Sequence, residues 1–168
     1  MIKAIVYTSN TGFTKQYAEM LGEEINVPVY EFKESKQKLN KSDEIVYMGW
    51  IMAGGIKNYN KARKIYDIKA VCPVGMSLPS EKQNNELIER HNIKEKLFYL
   101  QGGFDKSKLK GIYGFMMNSL EKIVKPKLEK KTDKTAEDKE MLDMMINGKN
   151  CVSKENLDEI IKWLNESK

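Results

Sequence analysis

Five short apolar runs, at residues 2–7, 27–32, 44–50, 69–75 and 96–101, alternate with stretches of helical spacing. That alternation decides most of what the chain can fold into. The runs are rich in β-branched and aromatic residues and lack clean two-residue periodicity, as strands covered on both faces do. Between them, residues 11–25 place Tyr17, Ala18, Leu21 and Ile25 on one helical face. Residues 60–66 form a shorter helical stretch, and residues 80–91 begin with a Ser80 cap followed by Glu81 and end in a basic turn. Strands alternating with helices imply βαβ crossovers, and five of them predict a doubly wound parallel α/β sheet of strand order 2-1-3-4-5. A last helix is marked by Ser153 as its cap and by the stripe Leu157, Ile160, Ile161 and Leu164. We expect one domain over residues 1–168, carrying an insertion after the fifth strand at about residues 104–150. The insertion reads as an amphipathic segment, 112–128, a polar hinge, 130–134, and a helix over 135–147 with Gly148 as its C-cap.

At 168 residues, 40% of them hydrophobic and 32% charged, the chain can bury a core without staples. No eighteen-residue apolar run offers a membrane span. The opening residues 1–7 read as a strand rather than as the apolar region of a signal peptide, so the expected location is the cytoplasm. Cys72 sits in an apolar run and reads as a small core residue; neither it nor Cys151 has a partner at metal or redox spacing. His91, the only histidine, closes a helix and reads as structural. The net charge of +5 is local: residues 105–131 hold eight lysines against Asp105, Glu121 and Glu129, and the remainder is balanced.

Chemistry points to the first strand's carboxyl end, where parallel sheets bind ligands. There the chain reads Thr8-Ser9-Asn10-Thr11-Gly12-Phe13-Thr14 and runs into a helix. Hydroxyls and free backbone N–H groups at a helix N-terminus form an anion cradle, and Gly12 lets the backbone approach a phosphate closely. The loop holds no lysine or arginine, so neutral donors must do the binding. Neither GxxxxGK[ST] nor GxGxxG occurs, which removes the nucleoside-triphosphate and dinucleotide readings. The plainer alternative is that Ser9, Thr11 and Thr14 only cap the helix.

The pattern Ser9-x-Thr11-Gly12-x-Thr14 after an N-terminal strand resembles the FMN-phosphate loop of flavodoxins. Two more loops match that family in position: Trp50, Ile51, Met52, Ala53, Gly54 and Gly55 after strand three, and Gln101, Gly102, Gly103 and Phe104 after strand five. The resemblance implies that both loops clasp the isoalloxazine ring, with Trp50 and Phe104 as candidate flanking rings. It also implies that Gly54 or Gly55 occupies the place of a peptide that flips on flavin reduction. It covers nearly the whole chain and is nearest the branch that includes the bacterial menaquinone-dependent protoporphyrinogen oxidases. In that branch, too, a longer basic segment after strand five carries an aromatic-methionine pair, which Phe115-Met116-Met117 resembles.

The basic balance departs from electron-carrier flavodoxins, which are acidic and are steered to basic partners. In the insertion Ile112, Met116, Leu120, Ile123, Val124 and Leu128 share a helical face, while Lys122, Lys125, Lys127, Lys130 and Lys131 fall largely outside it. Such a helix packs on the core, or lies on an anionic membrane surface, or admits an anionic substrate. Pro126 is expected to kink or end it. The lysines lack interleaved aromatics, so no nucleic-acid partner is expected, and no metal site or hydrolytic constellation stands out. The expected function is an FMN-binding oxidoreductase in electron transfer, on a substrate such as a quinone or porphyrin. Its rivals are a one-electron FMN carrier docking on redox proteins and a flavin-free binding module.

Overall fold

The computed structural model describes residues 1–109 and 111–166. Lys110 and the side chains of Ile112, Tyr113, Met116, Met117, Leu120 and Glu137 lie outside the described residues, so the expected apolar stripe and aromatic-methionine pair are described only in part.

The fold is mixed α/β around a mostly parallel sheet. In chain order the elements are β1 (Ala4–Thr8), α1 (Phe13–Ile25), β2 (Val29–Glu31), α2 (Phe32–Lys38), β3 (Glu44–Met52), β4 (Gly55–Ile56), α3 (Tyr59–Ala62), β5 (Asp67–Gly75), α4 (Glu81–His91), β6 (Lys96–Leu97), β7 (Leu100–Gln101), β8 (Gly103–Phe104), α5 (Gly111–Lys130), α6 (Ala136–Asn147), β9 (Lys149–Asn150) and α7 (Asp158–Glu166). The sheet path runs β2-β1-β3-β5-β6, with β4 paired to β3 and β7 paired to β5. Only the β3–β4 hairpin within it is antiparallel.

Both faces of the sheet are covered, which explains the unbroken apolar runs. Along β3, Val46 and Met48 join the core under α1 and α7, while Ile45 and Tyr47 join the core under α3 and α4. Cys72 is one of the buried residues on the α1 face. On that face Tyr17 and Leu21 of α1 meet Leu157, Ile160 and Leu164 of the C-terminal segment.

Several expectations shift. The predicted fifth strand divides into β6 and β7, which pair with β5 on either side of Cys72 and Pro73. The break coincides with Pro73, whose nitrogen has no hydrogen to give a ladder. The predicted second strand is cut short because the chain turns at Phe32 into α2. That helix carries a polar sequence and is anchored by tertiary contacts. Phe32 packs edge-on against Tyr47 with ring centroids 6.3 Å apart, and the Ser35 hydroxyl, which donates to the Phe32 carbonyl of its own helix, lies 2.9 Å from the Tyr66 hydroxyl. The predicted helix at 60–66 contracts to Tyr59–Ala62. Ser153 does not cap α7; a 3₁₀ turn at Glu155–Leu157 leads into it. α5 runs through Pro126, which is exposed and leaves the Lys122 carbonyl without its helical donor.

The insertion leaves and returns by one neck, the antiparallel pair β8–β9, with Gly103 opposite Asn150 and Phe104 opposite Lys149. Behind it the Tyr17 hydroxyl, fully buried, donates to the Gln101 carbonyl at 2.6 Å and accepts from the Asn156 side-chain amide at 2.6 Å. Burial pushes this phenol above its ordinary range, which keeps it a donor. Within the insertion, α6 opens with a capping box: Thr135 Oγ1 accepts from the Asp138 N–H, and the Asp138 carboxylate accepts from the Thr135 N–H.

Tyr17→Phe is expected to lower stability by about 1–3 kcal/mol in urea unfolding, because it strands a buried carbonyl. The Lys131 ammonium and the Thr135 N–H hold Asp138 down to about 2. A depressed carboxyl stabilises above its unfolded pKa and loses that contribution as pH falls through the folded one. Amide protection of the first turn of α6 should therefore persist to about pH 4 and disappear towards pH 2 in hydrogen exchange.

Candidate functional site

Four loops converge beyond the carboxyl ends of β1, β3, β5 and β7, as parallel sheets dictate. They enclose a cavity of about 80 Å³. The first loop contributes Asn10, Thr11, Phe13 and Thr14; β3 contributes Trp50 and Ile51; the neck side contributes Gly102, Gly103 and Phe104. Val74 and Gly75 at the end of β5, Met76 just past it, and Asp105 and Leu109 at the start of the insertion complete it. Nine of the expected site residues thus come together in one place.

The first loop does not use its hydroxyls as helix caps. α1 begins at Phe13, its N-cap is Gly12 with φ +97°, and no side chain caps it. The first backbone bond inside the helix runs from the Gln16 N–H to the Gly12 carbonyl, so the N–H groups of residues 13–15 have no helical acceptor. Ser9 Oγ accepts from the Gly12 N–H at 3.1 Å, which leaves its own proton to donate. Asn10 Nδ2 is buried and has no partner. Unpaired amides, spare hydroxyls and an orphaned amide nitrogen together are the donors that an anion-binding cradle requires.

Other expected residues lie elsewhere. Thr8 is turned inward: its Oγ1 accepts from Asn58 Nδ2 at 3.3 Å and lies 2.8 Å from the Tyr47 hydroxyl, which donates to the Lys57 carbonyl at 2.7 Å. Burial raises the Tyr47 phenol strongly, so it remains a donor. Met52, Ala53, Gly54 and Gly55 form the turn region of the β3–β4 hairpin and are not part of the cavity wall. Ala53 and Gly54, with φ of 49° and 73°, occupy a two-residue turn of the type that needs positive φ at both positions. Gln101 lines a neighbouring cavity and donates to the Met76 carbonyl at 3.2 Å.

That neighbouring cavity, about 270 Å³, lies beyond Met76 and is bounded by Met141 and Met144 of α6 and by Lys82 and Glu86 of α4. A third, about 510 Å³, shares Phe13, Phe104 and Asp105 and is closed by the neck. Of the aromatic candidates, Phe104 is buried yet lines the cavity, and Trp50 is half-buried with the Lys57 ammonium 5.9 Å from its ring. Lys108 Nζ lies 5.8 Å from the Phe13 ring, bringing a cation near a loop that has none. Sequence reading missed Met76, Asp105, Leu109 and Lys108. Only the position of Met76 just past a strand end marked it beforehand.

Glycines make the close approaches possible. A Cβ on Gly102 would lie 2.7 Å from Val74 Cγ1 and 3.2 Å from Phe13 Cβ. Among the described residues no group of three or more His, Cys, Asp or Glu side chains could hold a metal ion. No family model, no curated protein and no solved structure matches this chain.

Gly102→Ala should cost about 1–3 kcal/mol by forcing Phe13 or Val74 aside. Gly12→Ala has open space but a left-handed backbone, so it should cost about 1–2 kcal/mol. Thermal unfolding of the two variants checks both values.

Proposed function

We propose that the chain is an FMN-dependent oxidoreductase with a flavodoxin-like sheet, acting in electron transfer on an organic substrate such as a quinone or porphyrin. The observation that carries the reading is the uncapped α1 N-terminus, with the free Ser9 proton and orphaned Asn10 amide, set beside a cavity shared by the loops after β3 and β7. The strand path supports it. With the β4 return set aside and β6 and β7 taken as one interrupted strand, the parallel strands run 2-1-3-4-5.

The residues present fit the cofactor. Ser9, Thr11, Thr14 and the amides of residues 13–15 would hold its phosphate, with Asn10 Nδ2 as a further donor. Trp50, Phe104 and the glycine edges at Gly102 and Gly103 would hold its ring. FMN, when bound, supplies one- or two-electron transfer; the protein's part is to position it and set its electrostatics. Gly102 lets the backbone pack against Val74 and Phe13, Gly103 lets it pack against the Lys149 carbonyl, and Ile51, Met76 and Leu109 would supply an apolar wall. The second cavity, walled by α6 of the insertion, leaves room beside the first for a substrate.

The insertion favours an enzyme over a carrier. Its charge is basic where carriers are acidic, and no described side chain of α5 is fully buried. Phe115 is 72% and Ile123 55% exposed, and they share a helix with Lys122, Lys125, Lys127 and Lys130. That surface suits peripheral contact with an anionic membrane, where an apolar substrate would reside. Among the described residues no helix is long and apolar enough to cross a membrane.

Purified protein should take up about one FMN per chain, with flavin absorbance as the readout. Thr11→Val with Thr14→Val removes two neutral donors of about 0.5–1.5 kcal/mol each, so FMN affinity should fall roughly tenfold or more. Unchanged affinity would refute the phosphate cradle. A stable blue semiquinone during reductive titration would favour the carrier; direct two-electron reduction favours the enzyme. Replacing Lys122, Lys125 and Lys127 by Gln should weaken binding to anionic vesicles at least tenfold, at about 1 kcal/mol per lysine.

A further inference from the structure

One peptide of the cavity wall is held at both of its edges. The Gln101 carbonyl accepts from the Tyr17 hydroxyl at 2.6 Å, and the Gly102 N–H of the same peptide donates to the Gly75 carbonyl at 2.7 Å. Gly75 and Gly102 both line the candidate cavity. A peptide is planar, so a carbonyl that swings takes its N–H with it. The Gly102 carbonyl in turn accepts from the Cys151 N–H at 2.8 Å. Gly102 also stands so close to α1 that the place a Cβ would take is 3.2 Å from Phe13 Cβ. Phe13 opens α1 and carries one of the amides without a helical acceptor. The setting of this peptide therefore reaches the wall and the cradle alike.

The Tyr17 hydroxyl has one proton and two carbonyls within reach. Gln101 lies at 2.6 Å and Cys151 at 3.3 Å. Asn156 decides between them. Its Nδ2 donates one hydrogen to the Tyr17 oxygen at 2.6 Å and the other to the Cys151 carbonyl at 2.9 Å. That carbonyl can only accept, so the amide must turn its nitrogen inward. With the Cys151 carbonyl supplied, the Tyr17 proton goes to Gln101. Asn156 itself is exposed, sits in the 3₁₀ turn Glu155–Leu157, and is not among the residues lining the cavity.

We propose that Asn156 is a positioning residue for the candidate site: by bonding both the Tyr17 oxygen and the Cys151 carbonyl it commits the Tyr17 proton to Gln101, and so sets the Gln101–Gly102 peptide against which a ligand packs. For FMN as that ligand the inference rests on the function proposed above. Without the amide, the Cys151 carbonyl is left short of a donor and competes for the Tyr17 proton. When Cys151 takes that proton, the Gln101 end of the peptide is released.

The test compares Asn156→Leu, Asn156→Gln and Tyr17→Phe. In FMN-free protein, ¹³C NMR of the backbone carbonyls follows the proton. Tyr17→Phe removes it altogether and marks where an unbonded Gln101 carbonyl resonates. Asn156→Leu should move the Gln101 resonance towards that mark, and Asn156→Gln, which keeps the amide, should return it towards wild type. FMN affinity is measured well below the unfolding transition of every variant. It should fall about three- to tenfold in Asn156→Leu, the worth of one hydrogen bond, and recover in Asn156→Gln. A purely structural Asn156 would lower the unfolding temperature and leave both readings alone. A Gln101 carbonyl that keeps its wild-type resonance in Asn156→Leu overturns the proposal. So does a carbonyl that moves while FMN binds every Asn156 variant equally well. If the wild-type protein takes up no FMN, the flavin assignment fails, and the proposal is judged on the carbonyl alone: a shifted Gln101 resonance sustains it and an unshifted one overturns it.

Discussion

A single buried phenol holds the site side of this protein together. The Tyr17 hydroxyl reaches from the second turn of α1 to the Gln101 carbonyl at the end of β7, and Asn156 reaches back to it from the segment before α7. Asn156 Nδ2 also donates to the Cys151 carbonyl at 2.9 Å, just past the insertion's return strand. Three parts of the chain far apart in sequence are therefore tied to one oxygen. The loop before α1 and the loop after β7 face each other across the cavity at a distance set by this knot. Because the groups are buried, each is worth most when all are satisfied, and losing one strands the others.

The cradle and the cavity wall answer to different constraints. The cradle depends on what the α1 N-terminus lacks: with Gly12 at the cap and no side chain bonded there, its amides stay open. The wall depends on what β3 gains, since the strand continues past the cavity and folds back as β4. The tip of that hairpin is held by side chains of α4, with Arg90 donating to the Ala53 carbonyl and His91 beside the Gly54 carbonyl.

Much of this was legible in the sequence. Apolar runs without alternation marked strands covered on both faces, and the paired cores on β3 show why. Ser80 and Gly148 marked helix ends because capping is a local matter of one side chain or one positive φ. The gathering of Thr11, Trp50 and Phe104 followed from the rule that loops after parallel strands share one edge. What stayed hidden was tertiary. The polar run of α2 becomes a helix because Phe32 and Ser35 find partners on other elements. The division of the last strand follows from Pro73 on its neighbour, and the hairpin tip at Ala53 and Gly54 meets Arg90 and His91 of α4. None of these has a signature within its own few residues. Thr8 illustrates the same limit: its type suits a phosphate, but Tyr47 and Asn58 claim its hydroxyl.

The neck of the insertion has a consequence of a different kind. Phe104 and Lys149 sit opposite each other on β8 and β9, so the chain departs and re-enters within one interstrand spacing, about 5 Å. Closing a loop costs only slightly more as it lengthens. Everything between those two residues can therefore grow, shrink or be exchanged with little effect on the sheet beneath. The protein is in this sense a socket with a replaceable fitting, and exchanging the fitting would change the part of the cavity wall that Asp105 and Leu109 supply.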